Sequence, residues 1–259
     1  MGIINTTPDS FSDGGEFFSH SHAVAHGLRL IDEGADILDV GGESTRPGAA
    51  HVSLQEELDR VMPVIEQLRA ATDIALSIDT YKPEVMQAAL AAGVDMVNDI
   101  KGLQVSGASK IVAEQGVPVC LMHMQGKPDS MQLKPSYKNV VDEVIQFFEA
   151  RVEACLTSGI AKHNIILDPG IGFGKELKHN LLLLKALPEI KQRTACELLI
   201  GISRKSLIDK LFGRTVSERL PASLGMAVQA VLNGVKIVRA HDVRATFDAI
   251  RSVEAVRDA

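Results

Sequence analysis

Residues 37–79 read ILDVGGESTRPGAAHVSLQEELDRVMPVIEQLRAATDIALSID, and their order decides the architecture. A short apolar run, 37–40, leads into a loop, Gly41-Gly42-Glu43-Ser44-Thr45-Arg46-Pro47-Gly48. Leu58, Val61, Met62 and Ile65 then recur at i, i+3, i+4 and i+7, the spacing of one apolar helix face. A second apolar run, 74–78, closes the unit and ends on Asp79. Strand, helix and strand in this order make a crossover between parallel strands, with the helix laid on the sheet.

The unit repeats from end to end. Short, apolar strand candidates lie at 2–5, 37–40, 74–78, 96–98, 117–122, 165–167, 198–202 and 236–238. Helical stripes fall between them: Val24, Gly27, Leu28 and Ile31 in the first, and Val141, Val144, Ile145, Phe148, Val152 and Cys155 over four turns of a later one. Eight strands with eight following helices in 259 residues is the size of a closed (β/α)8 TIM barrel. An open doubly wound sheet has the same periodicity and is the rival. No linker or low-complexity tract divides the chain, so 1–259 reads as a single domain. Its first strand is short and reads as abbreviated, or as truncated from a longer chain.

Composition narrows the function classes. With 46% hydrophobic and 23% charged residues, a large core with a solvated exterior is expected. A net charge of −6 without a basic block argues against nucleic acid, so an anionic ligand would be held by a few placed cations. Cys120, Cys155 and Cys196 are scattered and odd in number, without a zinc spacing or a disulfide framework, which fits a reducing cytoplasm. No apolar run approaches a membrane span.

Polar residues follow each apolar run: Asn5, Asp39, Asp79, Asn98 with Asp99, His123, Asp168, Ser203-Arg204-Lys205, and Arg239 with His241. In a barrel these strand ends share one rim, where active sites are built. Helix N-caps also favour Asp, Asn and Ser, but Lys, Arg and His are poor caps, so the set as a whole reads as a site. The first loop, Asn5-Thr6-Thr7-Pro8-Asp9-Ser10-Phe11-Ser12-Asp13-Gly14-Gly15, exceeds the usual length of such connections. It and the 41–48 loop read as mobile lids, with Phe11 as cover and Arg46 as charge.

These strings, together with Met122-His123-Met124-Gln125-Gly126, Asp168-Pro169-Gly170-Ile171-Gly172-Phe173-Gly174, Ser203-Arg204-Lys205-Ser206 and Arg239-Ala240-His241-Asp242, resemble the dihydropteroate synthase family, in its order and approximate spacing from Gly2 to the last helix. Thr6, where Val is common, and Ile202, where an aromatic is common, depart from the pattern without clear consequence. The resemblance implies a transferase that joins 6-hydroxymethyl-7,8-dihydropterin pyrophosphate to p-aminobenzoate. Asp168 and Asn98 would read the amino-pyrimidine edge of the pterin, and Asp79 the reduced-ring side. Lys205 would donate to the ring oxygen and nitrogen, Arg239 would stack on the ring, and Met122 and Phe173 would be walls.

The resemblance further implies that Asn5, Arg46, Arg239 and His241 hold the pyrophosphate, with Asn5 as ligand to Mg2+. Phe11, Thr45, Pro47, Phe173 and Ser206 would form the p-aminobenzoate slot, which sulfonamides also enter. A homodimer through the later helices is implied as well. For Met122 a plain core role weighs at least as much.

Three other features of the sequence do not make sites. His22 and His26, at i and i+4, read as a solvated face in mid-helix, away from any strand end and without a nearby acidic ligand. Gly170, Gly172 and Gly174 lack the dinucleotide spacing. Lys205 as a Schiff-base lysine finds no sign of a lowered pKa. The alternatives retained are a corrinoid-linked methyltetrahydrofolate methyltransferase, a non-catalytic pterin-binding paralogue and, least, a lyase.

Overall fold

The structure, a computed structural model, describes residues 1–6, 16–44, 51–126 and 131–259. Among these residues eight parallel strands follow in spatial order β1 to β8: β1 (Gly2–Asn5), β2 (Ile37–Gly41), β3 (Ala75–Asp79), β4 (Met96–Asp99), β5 (Val119–Met122), β6 (Ile165–Asp168), β7 (Glu197–Gly201) and β8 (Ile237–Arg239). Closure comes from the two ends. The Ile3 N–H donates to the Ala240 carbonyl at 3.2 Å, and the Ala240 N–H to the Met1 carbonyl at 3.0 Å. The open-sheet rival is excluded by this β8–β1 contact.

Ten α-helices are found among the described residues, against the eight expected. They are α1 (Glu16–Asp32), α2 (Leu54–Ala71), α3 (Pro83–Ala91), α4 (Ala108–Gln115), α5 (Val140–Thr157), α6 (Leu177–Lys185), α7 (Leu187–Thr194), α8 (Ser206–Phe212), α9 (Leu220–Leu232) and α10 (Val243–Arg257). Two crossovers are split. Pro188 lacks an N–H and stands at the start of α7, so the chain breaks after α6. In the other, α8 stops at Gly213, which takes a left-handed C-cap at φ 65°.

The strands sort their side chains with period two. Ile4, Leu38, Val40, Leu76, Ile78, Val97, Val119, Leu121, Ile165, Leu167, Leu198 and Ile200 belong to the main core beneath the helices. Met96, Cys120, Ile166 and Leu199 form a separate apolar cluster with Met1 and Ile237, the plug of the barrel lumen. Val144, Ile145, Phe148, Val152 and Cys155 of α5 are buried as their spacing requires. In α1 the stripe is rotated from expectation: Ala23, Gly27 and Leu30 are buried while Leu28 is exposed. Gly27 fixes that rotation, since a Cβ there would lie 2.8 Å from Ile4 Cδ1 and 3.0 Å from Leu68 Cδ2.

Candidate active site

Above the apolar plug, inward positions turn polar. Register places Asn5 beside Gly41, Gly41 beside Asp79, and Asp79 beside Asn98. Met122 pairs with Asp168, and Gly201 with Arg239. Six strands thus bring Asn5, Asp79, Asn98, Met122, Asp168 and Arg239 to one mouth, as the strand ends required. The glycine at 41 leaves room for the carboxylate, because a Cβ there would sit 3.3 Å from that of Asp79.

The centre of this mouth is Asp39, which was expected as a strand tip and lies instead in the middle of β2, fully buried. Its Oδ2 accepts from Arg239 Nε at 2.6 Å and from Asn98 Nδ2 at 3.1 Å. Arg239 also donates an Nη2 bond of 2.8 Å to Asp79 Oδ2. Burial works against the Arg239 charge, but the two carboxylates hold it protonated above its ordinary range. Burial likewise pushes Asp79 up to about 7, with Arg239 opposing and Asp39 adding to the rise. The Oδ1 atom of Asp39 is buried without a hydrogen-bond partner among the described residues. A buried acceptor of this kind invites a donor from a ligand.

Asp168 is 7% exposed, and its Oδ1 accepts the Gly170 N–H at 2.7 Å. Burial raises its pKa, which that N–H and Lys205 oppose. The Lys205 ammonium stands 4.2 Å from the centre of the Phe173 ring. Burial lowers its pKa to about 8, although Asp168 favours the charged form. Sequence gave no sign of this lowering, because the burial arises only when the loops after β6 and β7 meet. Met122 is 4% exposed, with its Cγ 3.3 Å from where a Cβ on Gly170 would lie. It belongs to both readings, packed as core and present at the mouth.

Lys175 was missed. It is 1% exposed, and its ammonium donates to the carbonyls of His123 (3.2 Å), Gly170 (3.0 Å) and Phe173 (2.9 Å). It ties the loop after β5 to the loop that carries Gly170 and Phe173. Gly170 permits the join: its φ is 66°, and a Cβ would meet the His123 carbonyl oxygen at 2.0 Å. Burial brings the Lys175 pKa down to about 7, with Asp168 pulling it upward. Lys175→Met is expected to leave the His123 and Phe173 carbonyls without this donor, while Gly170 keeps the Phe173 N–H, and to cost about 3 kcal/mol of stability. Urea unfolding checks this; a midpoint equal to the parent's would show that the loops hold without the lysine.

At β8 the chain continues to His241, whose N–H and Nδ1 lie 3.2 and 3.0 Å from Ser203 Oγ. Next to it, Asp242 accepts two bonds from the Arg204 guanidinium, at 2.9 and 2.5 Å. Arg204 sits at φ 58°, a strained backbone for a non-glycine residue, held by Ser223 Oγ on its N–H at 3.1 Å. That bend delivers Lys205 to the N-cap of α8 and Ser206 to its first turn, where Ser206 is exposed. A further ion cluster outside the mouth joins Lys82 to Glu43 at 2.6 Å and to buried Glu57.

Asn5, half-buried at the end of β1, shares a cleft of about 420 Å³ with His241, Ile3, His22, Ala25, His26 and Arg29. The expectation that His22 and His26 lie away from any strand end is therefore corrected. Closure of β8 onto β1 brings His241 and Asn5 alongside that flank of α1. Among the described residues no group of three His, Cys, Asp or Glu side chains is arranged to hold a metal ion. Phe11, Thr45, Arg46 and Pro47 lie outside the described residues.

The family model described as pterin binding enzyme matches residues 1–241. The dihydropteroate synthase of Escherichia coli (strain K12) is 50% identical over 259 residues, which is 100% of this chain and 92% of that protein. The crystal structure of Xanthomonas albilineans dihydropteroate synthase with 4-aminobenzoic acid superposes with a TM-score of 0.95 at 48% identity, covering 100% of this chain and 93% of that one. The Yersinia pestis enzyme in a sulfonamide drug complex gives 0.94 at 47% identity, covering 100% and 94%. By full-length likeness in both sequence and fold, this chain belongs to the dihydropteroate synthases, within the pterin-binding enzymes.

Proposed function

We propose that the Asp39–Arg239–Asp79 assembly, with Asn98, Asp168 and Lys205 around it, is the pterin pocket in which this synthase joins 6-hydroxymethyl-7,8-dihydropterin pyrophosphate to p-aminobenzoate. The reading rests on one observation: polar groups from β2, β3, β4, β6 and β8 converge on a single mouth above an apolar plug. A reduced pterin offers several N–H donors and a carbonyl. Asp168 and Asn98 suit the amino-pyrimidine edge, and Asp79 the reduced-ring side. Lys205 supplies the cation for the ring oxygen and nitrogen, with Phe173 and Met122 as walls.

The C–O bond to pyrophosphate breaks first, and its electron pair leaves with the diphosphate. The methylene carbon is left cationic, stabilised by the ring, and the arylamine nitrogen attacks it and then loses a proton. An arylamine is unprotonated at neutral pH, so no general base is assigned; the residues orient reactants and stabilise charge. The departing diphosphate is assigned to Arg239, His241 and Asn5, and by the resemblance also to Arg46. Asp79 and Asp168 favour positive charge on the ring. The p-aminobenzoate slot is assigned to Phe173 and Ser206 and, by the resemblance alone, to Phe11, Thr45 and Pro47; a sulfonamide would compete there. Borohydride trapping with a carbonyl ligand would pick out the lyase reading of Lys205, and this mechanism expects none.

Mg2+ fits the residues present. Asn5 would hold it through one neutral oxygen at the rim, with the rest of its ligands left to water and the substrate. When bound, it supplies charge neutralisation on the leaving group. A homodimer through the later helices accords with the exposed Phe212, Val216, Leu232 and Phe247 of that half. Three buried free thiols, Cys120, Cys155 and Cys196, accord with a reducing cytoplasm.

The decisive assay supplies both substrates with Mg2+ and follows pyrophosphate release; none at all would remove the reading. A pH profile tests the pocket further. Lys205 is charged below about 8 and loses its proton above that pH, so kcat/KM should fall on the alkaline side from about 8. Asp168, with its pKa raised, withdraws its carboxylate on the acid side. Lys205→Arg should keep its charge and lose the alkaline limb. An unchanged limb in that variant would assign it elsewhere.

A further inference from the structure

The cleft beside α1 carries more than the two residues it shares with the pyrophosphate reading. His22, Ala25, His26 and Arg29 stack along one flank of the helix, one turn above the next. This flank is offset from the buried stripe of Ala23, Gly27 and Leu30, so core packing does not account for it. A merely solvated flank also needs no wiring, yet His26 is wired. Its Nδ1 lies 2.7 Å from Arg29 Nη2, and its ring is hydrogen-bonded to the Ile3 backbone. A guanidinium only donates, so Nδ1 is the acceptor, and burial followed by the Arg29 charge keeps this ring neutral. The histidine thus orients an arginine at the cleft wall.

Among the described residues the carboxylate paired with Arg29 is Glu33, 3.6 Å away, with the arginine side chain 65% exposed. An exposed pair of this kind is weak and exchanges readily for a more highly charged anion. Arginine's planar fork suits phosphate oxygens in particular. The cleft opens beside Asn5 and His241, the groups assigned to the diphosphate, so the anion that reaches it first is the leaving group.

We propose that this cleft is an outer subsite for inorganic pyrophosphate, with Arg29 and His22 as its contacts and His26 as the residue that positions Arg29. The proposal rests on the assignment of the diphosphate to Asn5 and His241. Pyrophosphate released at the mouth would pass to Arg29 before reaching solvent, and the outer site would set product inhibition without touching pterin recognition.

The test is calorimetric titration of the intact chain with inorganic pyrophosphate in low-salt buffer containing Mg2+, beside steady-state kinetics. Arg29→Ala should raise the pyrophosphate Kd about tenfold, the loss of one charge-assisted contact, and leave KM for the pterin diphosphate unchanged. His22→Gln should shift the same Kd in the same direction. An unchanged Kd in both variants overturns the subsite. If His241→Ala then still abolishes pyrophosphate binding, the inner assignment survives alone; if it does not, both fall. Equal rises in Kd and in KM for Arg29→Ala also overturn the proposal, since the cleft would then hold the substrate's own diphosphate.

Discussion

Asp39→Ala should cost about 3–5 kcal/mol of folding stability, the range for breaking a buried ion pair by removing one partner. The carboxylate is fully buried and holds Arg239 and Asn98 through one oxygen. Without it Arg239 keeps only Asp79, and its charge remains inside the barrel with half its compensation. Turnover should fall by more than about 100-fold, because the guanidinium proposed to meet the diphosphate loses its fixed orientation, and 2.7 kcal/mol or so of transition-state stabilisation is enough for that factor. Asp39→Asn keeps the shape and one acceptor for Arg239 and should fall between parent and Ala in stability. Urea unfolding and pyrophosphate release measure the two effects separately. A parent-like midpoint with parent-like turnover in the Ala variant would mean that Asp79 alone holds the arginine.

The sequence carried the barrel because its evidence is local: each apolar run, polar tip and amphipathic stripe is legible within some 40 residues. Asp79, Asn98, Asp168 and Arg239 were legible for a related reason, as polar ends of apolar strands. The inward face was harder. Asn98 and Asp99 are neighbours at the end of β4, yet Asn98 reaches Asp39 while Asp99 accepts the N–H groups of Lys101 and Leu103 at 2.7 and 2.8 Å. Period two separates them once the strand's phase is known, and a four-residue strand leaves that phase loosely fixed. Asp39 had a visible signal, a lone carboxylate among apolar neighbours, but its partner Arg239 is 200 residues away. Lys175 had less. Lysines are rarely buried, and its acceptors include His123, 52 residues distant. The His22–His26 spacing identified a helix flank; what faces it follows from barrel closure, which no short window encodes.

The same geometry makes Asp168→Asn the clearest case of function held against stability. The folded protein raises this carboxyl's pKa by burial, so the native state binds its proton more tightly than the unfolded chain. Its contribution to stability is therefore fully present below the unfolded value of 3.8 and is lost as pH rises through the folded pKa. Near neutrality the ionised side chain is therefore a cost, and a neutral amide removes it. An Asn can keep the bond to the Gly170 N–H through its own oxygen, so the loop after β6 should hold its place. The variant should be at least as stable as the parent at pH 7, with the advantage shrinking toward pH 4. Activity should move the other way. The two charge-assisted bonds proposed from Asp168 to pterin N–H groups would become one neutral bond and one donor facing a donor, a loss of about 3–4 kcal/mol or 10²–10³-fold in kcat/KM. Unfolding curves at pH 4 and pH 7, set beside the kinetics, separate the two effects. If the amide were destabilising at both pH values while turnover stayed near normal, Asp168 would be a structural residue of the loop and the pterin edge would have to be read by another group.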